Sequence, residues 1–116
     1  MKLIALLSIA ASLVVAQETI YTPGDGVSLP KVVKKVDATY TQEAKDAHIE
    51  GTVELSTVVR GDGTVGDVKV TRSLDTTYGL DGQAVAAMKQ WTFEPGTKDG
   101  KAVAVRVAVL MTFTLK

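Results

Sequence analysis

The stretch KQWTFEPGTKDGKAVAVRVAVLMTFTL, residues 89–115, decides the fold of this chain. It contains the only tryptophan, Trp91, which is followed by Phe93 and by a Pro-Gly pair at Pro95 that ends the segment. From Val103 onward, apolar residues recur at every second position, which is the period of a β-strand with one buried face. The buried face is predicted to carry Val103, Val105, Val107, Val109, Met111, Phe113 and Leu115.

The residues before the tryptophan have a helical period. Leu80, Ala84, Ala87 and Met88 fall on one apolar stripe that continues to Trp91, so a helix is predicted over 80–90. We expect Trp91 and Phe93 to hold this helix on a sheet, since the two rings together bury enough apolar area for several kcal/mol.

Two further strands flank a tight turn at Arg60–Thr64. The Asp-Gly pair in this turn tolerates the positive φ angles of tight turns, so a hairpin is predicted here. The first strand, 52–60, is predicted to bury Val53, Leu55 and Val59, and the second, 65–72, Val68 and Val70.

The N-terminal part contains weaker signals. Residues 30–36, PKVVKKV, are typical of an edge strand, because a proline and three lysines discourage pairing. Residues 41–47 predict a short helix capped by Thr41. The expected fold is therefore α+β: a two-layer sandwich of two helices on a three- to four-stranded antiparallel sheet.

The first residues predict export. Lys2 precedes an uncharged apolar run, and small residues follow at positions that a signal peptidase reads. We interpret 1–16 as a cleaved signal peptide, 17–29 as a flexible lead-in and 30–116 as the domain, with a periplasmic location; the alternative is an uncleaved short membrane anchor.

Few residues could support catalysis or cofactor binding. The chain has one histidine and no cysteine, too few soft ligands for a zinc site. No glycine loop for phosphates is present, and the formal net charge of zero gives no reason to expect nucleic acid. The sequence therefore predicts no enzyme, no cofactor, no metal and no small-molecule substrate.

From about Val36 to Leu115 the sequence resembles the C-terminal domain of the TonB family. The likeness rests on the helix with its alanines, then Trp91-Thr-Phe93-Glu-Pro95 and the Gly100-Lys-Ala-Val103 turn into the last strand. Near the first helix, the family's Pro-x-Tyr-Pro is reduced here to Tyr40 alone. The residues expected to be structural are Tyr40, Gly51, Gly63, Trp91, Phe93 and Pro95.

The resemblance implies a domain that docks to an envelope partner through its last strand. In the family, an extended peptide of an outer-membrane receptor pairs with that strand, and main-chain bonds at an open edge would supply the affinity. The predicted partner-binding residues are Val103, Val105, Arg106, Val107, Val109 and Met111. The alternative is a structural homo-oligomer, such as a homodimer, in which the last strands of two copies pair and no transport client binds.

Overall fold

The structure, a computed structural model, describes residues 19–115. The predicted signal peptide, 1–16, lies outside the described residues. No helix in the described part of the chain is long and apolar enough to cross a membrane.

Seven strands and two helices follow one another along residues 19–115. In chain order they are β1 (Ile20–Tyr21), β2 (Lys31–Lys34), α1 (Gln42–Asp46), β3 (Gly51–Val59), β4 (Val65–Arg72), α2 (Leu80–Met88), β5 (Thr92–Glu94), β6 (Gly96–Lys98) and β7 (Lys101–Phe113). The predicted α+β class is confirmed, with both predicted helices and the long last strand present.

The main sheet has the order β1-β7-β3-β4, and β6 also pairs with β7. It is mixed rather than purely antiparallel, because β1 runs parallel to β7 while the other pairs are antiparallel. The prediction of a three- to four-stranded antiparallel sheet was wrong on this point, since the lead-in was given no strand. A second, two-stranded sheet joins β2 to β5.

The core lies on one face of β3 and β7. Alternate residues of β3 are buried, and α2 packs against β3 and β4. The cluster consists of Ala44, Val53, Leu55, Val59, Leu80, Ala84, Ala87, Met88, Trp91, Phe93, Met111 and Phe113. Val68 packs against this cluster as predicted, whereas Val70, also predicted to point inward, is 37 % exposed on β4, the end strand of the sheet.

The hairpin between β3 and β4 closes as its Asp-Gly sequence predicts. Gly63 has a φ of +87°, and a Cβ there would lie 2.1 Å from the carbonyl oxygen of Phe93. The Phe93 N–H donates to the Gly63 oxygen at 2.9 Å. The hairpin tip is thus tied to β5, and only glycine allows so close an approach.

Helix α1 begins as predicted, with Thr41 as its cap. The Thr41 hydroxyl accepts from the Ala44 N–H at 3.2 Å and donates to the Tyr78 carbonyl oxygen at 2.8 Å. The cap therefore links the start of α1 to the loop before α2.

Candidate functional site: an open edge of the last strand

The last strand, β7, is paired along its whole length on one side only. Nine consecutive residue pairs join it to β3, from Gly51 opposite Phe113 to Val59 opposite Val105. β6 continues the pairing on this same side at Lys101 to Val103, and on the other side β1 covers Ala104 and Val105. Within the described residues, no strand pairs with this side of β7 from Arg106 to Phe113. We call this stretch the open edge.

The direction of the β7 backbone groups follows from the neighbouring hairpin. The Arg60 N–H donates to Thr64 across the hairpin, and the Thr71 hydroxyl donates to the Glu54 carbonyl oxygen, so even-numbered residues of β3 turn their backbone toward β4. Successive residues of a strand alternate, so odd-numbered residues of β3 face β7.

These odd-numbered residues of β3 are paired with odd-numbered residues of β7, as Leu55 is with Val109. The even-numbered residues of β7 consequently turn their N–H and C=O groups to the other side. Ala108, Leu110 and Thr112 therefore present unpaired backbone donors and acceptors at the open edge.

A groove of about 430 Å³ runs beside the C-terminal half of the open edge. Its floor and walls are formed by Lys35, Val36, Asp37, Ala38, Tyr40, Trp91 and residues Leu110 to Thr114. The groove is therefore bounded by backbone that can pair with a strand on one side and by two aromatic rings on the other.

The two aromatic rings are fixed by hydrogen bonds to backbone. The Trp91 Nε1–H donates to the Val36 carbonyl oxygen at 2.9 Å, and the Tyr40 hydroxyl donates to that of Ile49. Tyr40 also stands edge-on to Phe113, with ring centroids 5.4 Å apart. The groove is thus held open by a rigid floor, which lowers the ordering cost of binding.

The charge around the groove is small and mixed. Lys35 extends over the Trp91 ring with its Nζ 5.9 Å from the ring centroid, and Asp37 lies two residues further on. Within the described residues, no three acidic, histidine or cysteine side chains are grouped to hold a metal ion.

The residues predicted to bind a partner fall into two groups. Arg106, Val107, Val109 and Met111 belong to the open edge, whereas Val103 is paired with Gly96 on β6 and Val105 with Tyr21 on β1. Val105 is fully buried. Val103 and Val105 therefore lie outside the open edge.

The structure also brings in residues that the prediction omitted. Ala108, Leu110 and Thr112 carry the free backbone groups, and Leu110 is 65 % exposed. The period of two in the sequence separates the two faces of β7, but only the pairing with β3 tells which residues face the open side.

The residues predicted to be structural lie in or around the core and its turns. Trp91 and Phe93 are buried with ring centroids 6.1 Å apart, and Pro95 lies between β5 and β6. Gly51 has a φ of +147°, and a Cβ there would lie 2.6 Å from Leu74 Cδ1. At Gly51 and Gly63 a neighbour leaves no room for a Cβ.

Residues 36–115 match the family model described as the Gram-negative bacterial TonB protein C-terminal. The chain belongs to this family. Its likeness to protein TonB of Pseudomonas aeruginosa PAO1 is 30 % identity over 77 residues. That match covers 66 % of this chain and 22 % of the relative, so the chain corresponds to about a fifth of that protein's length.

A solved structure of the same relative agrees with the TonB C-terminal fold. The solution NMR structure of the Pseudomonas aeruginosa TonB CTD superimposes with a TM-score of 0.63 at 27 % sequence identity. The match covers 82 % of this chain and 93 % of that structure.

Proposed function

We propose that this chain is a non-enzymatic periplasmic module that binds an extended segment of an outer-membrane transporter by adding it as a strand to β7. One observation carries the proposal: the open edge, Arg106–Phe113, belongs to the longest strand, yet no described strand pairs with its free side. A partner strand would satisfy them as a neighbouring strand does.

The groove beside the open edge suits an extended, partly apolar segment. A strand laid against Ala108, Leu110 and Thr112 would direct alternate side chains toward Trp91 and Tyr40, and the others toward the exposed face that carries Leu110. Main-chain bonds would supply much of the affinity, and the aromatic floor would select apolar side chains.

The test is a proline at a single edge position. Ala108→Pro removes one N–H that faces the open edge and removes no bond to β3, and prolines are tolerated on edge strands. Ala108→Ser is the matched control, because it changes the side chain and keeps the N–H. The probes are eight-residue peptides covering the periplasmic N-terminal segments of outer-membrane receptors, and binding is measured by calorimetry.

We expect Ala108→Ser to bind such a peptide as the wild type does, and Ala108→Pro to bind about tenfold or more weakly. Equal binding by both variants, with the fold intact by circular dichroism, would show that the peptide does not pair with this edge.

A homo-oligomer through the same edge is the second candidate. The exposure of Leu110 beside unpaired backbone favours it, because two copies would cover both features at once. Analytical ultracentrifugation over a dilution series separates the two functions. A dimer that persists at nanomolar concentration supports self-assembly, whereas a monomer leaves the edge free for a transporter segment.

A further inference from the structure

The N-terminal residues Ile20–Ser28, here called the strap, lie across the end of the open edge. Ile20 pairs with Ala104 and Tyr21 with Val105 in a parallel ladder of two residues. The residues beneath this ladder, Ala104 and Val105, have no exposed surface. The strap thus occupies backbone of β7 that directly continues the stretch where we place the partner.

After Tyr21 the strap turns away from β7. The Thr22 N–H and hydroxyl both donate to the Asp25 carboxylate, at 2.8 and 2.9 Å, and the Asp25 N–H donates back to the Thr22 carbonyl oxygen at 3.1 Å. Pro23 in this turn has no N–H to give to a sheet. The chain therefore leaves the edge just before Arg106.

The far end of the strap is anchored on the hairpin formed by β6 and β7. The Ser28 N–H donates to the Thr97 carbonyl oxygen at 2.8 Å, and the Thr97 N–H donates to the Ser28 hydroxyl at 2.9 Å. Lys98 donates its Nζ to the Asp25 carbonyl oxygen at 3.0 Å and lies 5.3 Å from the centroid of the Tyr21 ring. These contacts hold the turn in place at both ends.

A regular edge with a period of two has a register problem. A partner that slides by two residues keeps every side chain on its proper face, so pairing alone distinguishes poorly between neighbouring registers. From Arg106 to Phe113, β7 pairs with β3 without a register shift, so no bulge marks one position on the edge. A fixed obstacle at one end would remove this ambiguity.

We propose that the strap is an end-stop that limits a partner strand to Arg106–Phe113 and so fixes its length and register. This inference rests on the proposed function, because it concerns the same edge. It assigns a specificity role to Ile20, Tyr21 and the Thr22–Asp25 turn, none of which touches the groove that holds the partner's side chains.

The test compares peptides of two lengths on full-length proteins with a released or a locked strap. The released protein carries Tyr21→Pro and Asp25→Ala, which remove a pairing donor and the turn. The locked protein carries Ile20→Cys and Ala104→Cys; since the natural chain has no cysteine, its oxidised and reduced forms are a matched pair. The probes are capped peptides of alternating Thr and Val, eight residues long, and the same peptide extended by three residues at either end.

We expect the extension to leave the affinity of the wild type and of the oxidised locked protein unchanged. In the released protein one of the two extended peptides should bind about tenfold more tightly, because it pairs with the backbone that β1 had covered. If the longer peptide gained as much affinity for the wild type as for the released protein, the end-stop would be overturned, because the partner would then displace β1. If the longer peptide gained no affinity for either protein, the end-stop would be overturned as well.

The two proposals fail in different ways. If the eight-residue peptide binds none of the proteins, strand addition is wrong and the end-stop falls with it. If that peptide binds all of them and length makes no difference, only the end-stop is wrong. The urea midpoints of the released and wild-type proteins are also measured. Equal midpoints show that a difference in peptide affinity comes from the edge and not from a loss of folded protein.

Discussion

The two outer edges of the main sheet differ in how well they resist pairing. The open edge of β7 has no register shift over Arg106–Phe113 and one charged residue, Arg106. On the opposite side, β4 carries two register shifts and the charges of Asp67, Lys69 and Arg72 within eight residues. Bulges and charges are the usual protection of edge strands. The sheet is thus protected against added strands on one side and left receptive on the other.

The largest expected effect tests the direction of the β7 backbone. Val107→Pro removes an N–H that faces β3 in the centre of the sheet, and we expect it to lower the free energy of unfolding by about 3 kcal/mol or more. Ala108→Pro, one residue away, removes only an N–H at the open edge and should cost about 1 kcal/mol.

Urea denaturation followed by circular dichroism measures both variants against the wild type. Equal losses of stability in Val107→Pro and Ala108→Pro would mean that the open edge is not where the pairing with β3 places it.

A second prediction concerns the loop that joins β4 to α2. Asp81 is buried, which raises the pKa of its carboxyl, but donation by the Asp75 N–H, the Ser73 hydroxyl and the Leu74 N–H outweighs burial and lowers the pKa below its ordinary value of 3.8. The stabilisation is therefore complete above pH 3.8 and is lost as the pH falls through the folded-state pKa.

We expect a loss of about 1–2 kcal/mol from this carboxylate on acidification. Asp81→Asn is the control: its urea midpoint should be lower at neutral pH and should fall less between pH 4 and about pH 2. An equally steep acid dependence in the variant and the wild type would assign the effect to other carboxylates.

The smallest expected effect comes from removing the protection of β4. Asp67→Val with Lys69→Val takes two charges from this edge and leaves its bulges in place, so we expect self-association to strengthen by less than tenfold. Sedimentation of this variant is compared with that of Asp67→Lys with Lys69→Glu, which keeps the charges. Association to the same extent in both would show that the bulges alone protect this edge.

Much of the fold could be predicted because its longest elements have clear local patterns. The alternation of β7, the Asp-Gly turn at Gly63 and the apolar stripe of α2 all give the structure that each pattern indicates. In each case the signal is a period or a backbone requirement that few other structures satisfy.

The missed strands are too short for a period to appear. β1 has two residues and β5 and β6 have three each, so their formation depends on the neighbour they pair with. One of them did have a usable signal. Asp99-Gly100 between Lys98 and Lys101 is typical of a two-residue hairpin, and both central residues have positive φ. A hairpin predicted at Asp99-Gly100 would have placed Val103 in a pair with β6.

The candidate site could be predicted only in part, for a related reason. The sequence marks β7 as a strand suited to pairing, but the coverage of Val105 by β1 is a contact between residues far apart in the chain, from Tyr21 to Val105. The choice between odd and even residues as the free ones likewise depends on the pairing with β3. The sequence pattern of one strand therefore does not show which distant strands pair with it.

The position of the single tryptophan has a practical consequence. Trp91 lines the groove with its indole N–H bonded to the Val36 carbonyl oxygen, and the chain holds no other indole. Its fluorescence emission therefore comes from one known position in the wall of this groove, without a label. A segment that enters the groove would change the wavelength or intensity of that emission, so a library of unmodified envelope peptides can be screened by simple titration.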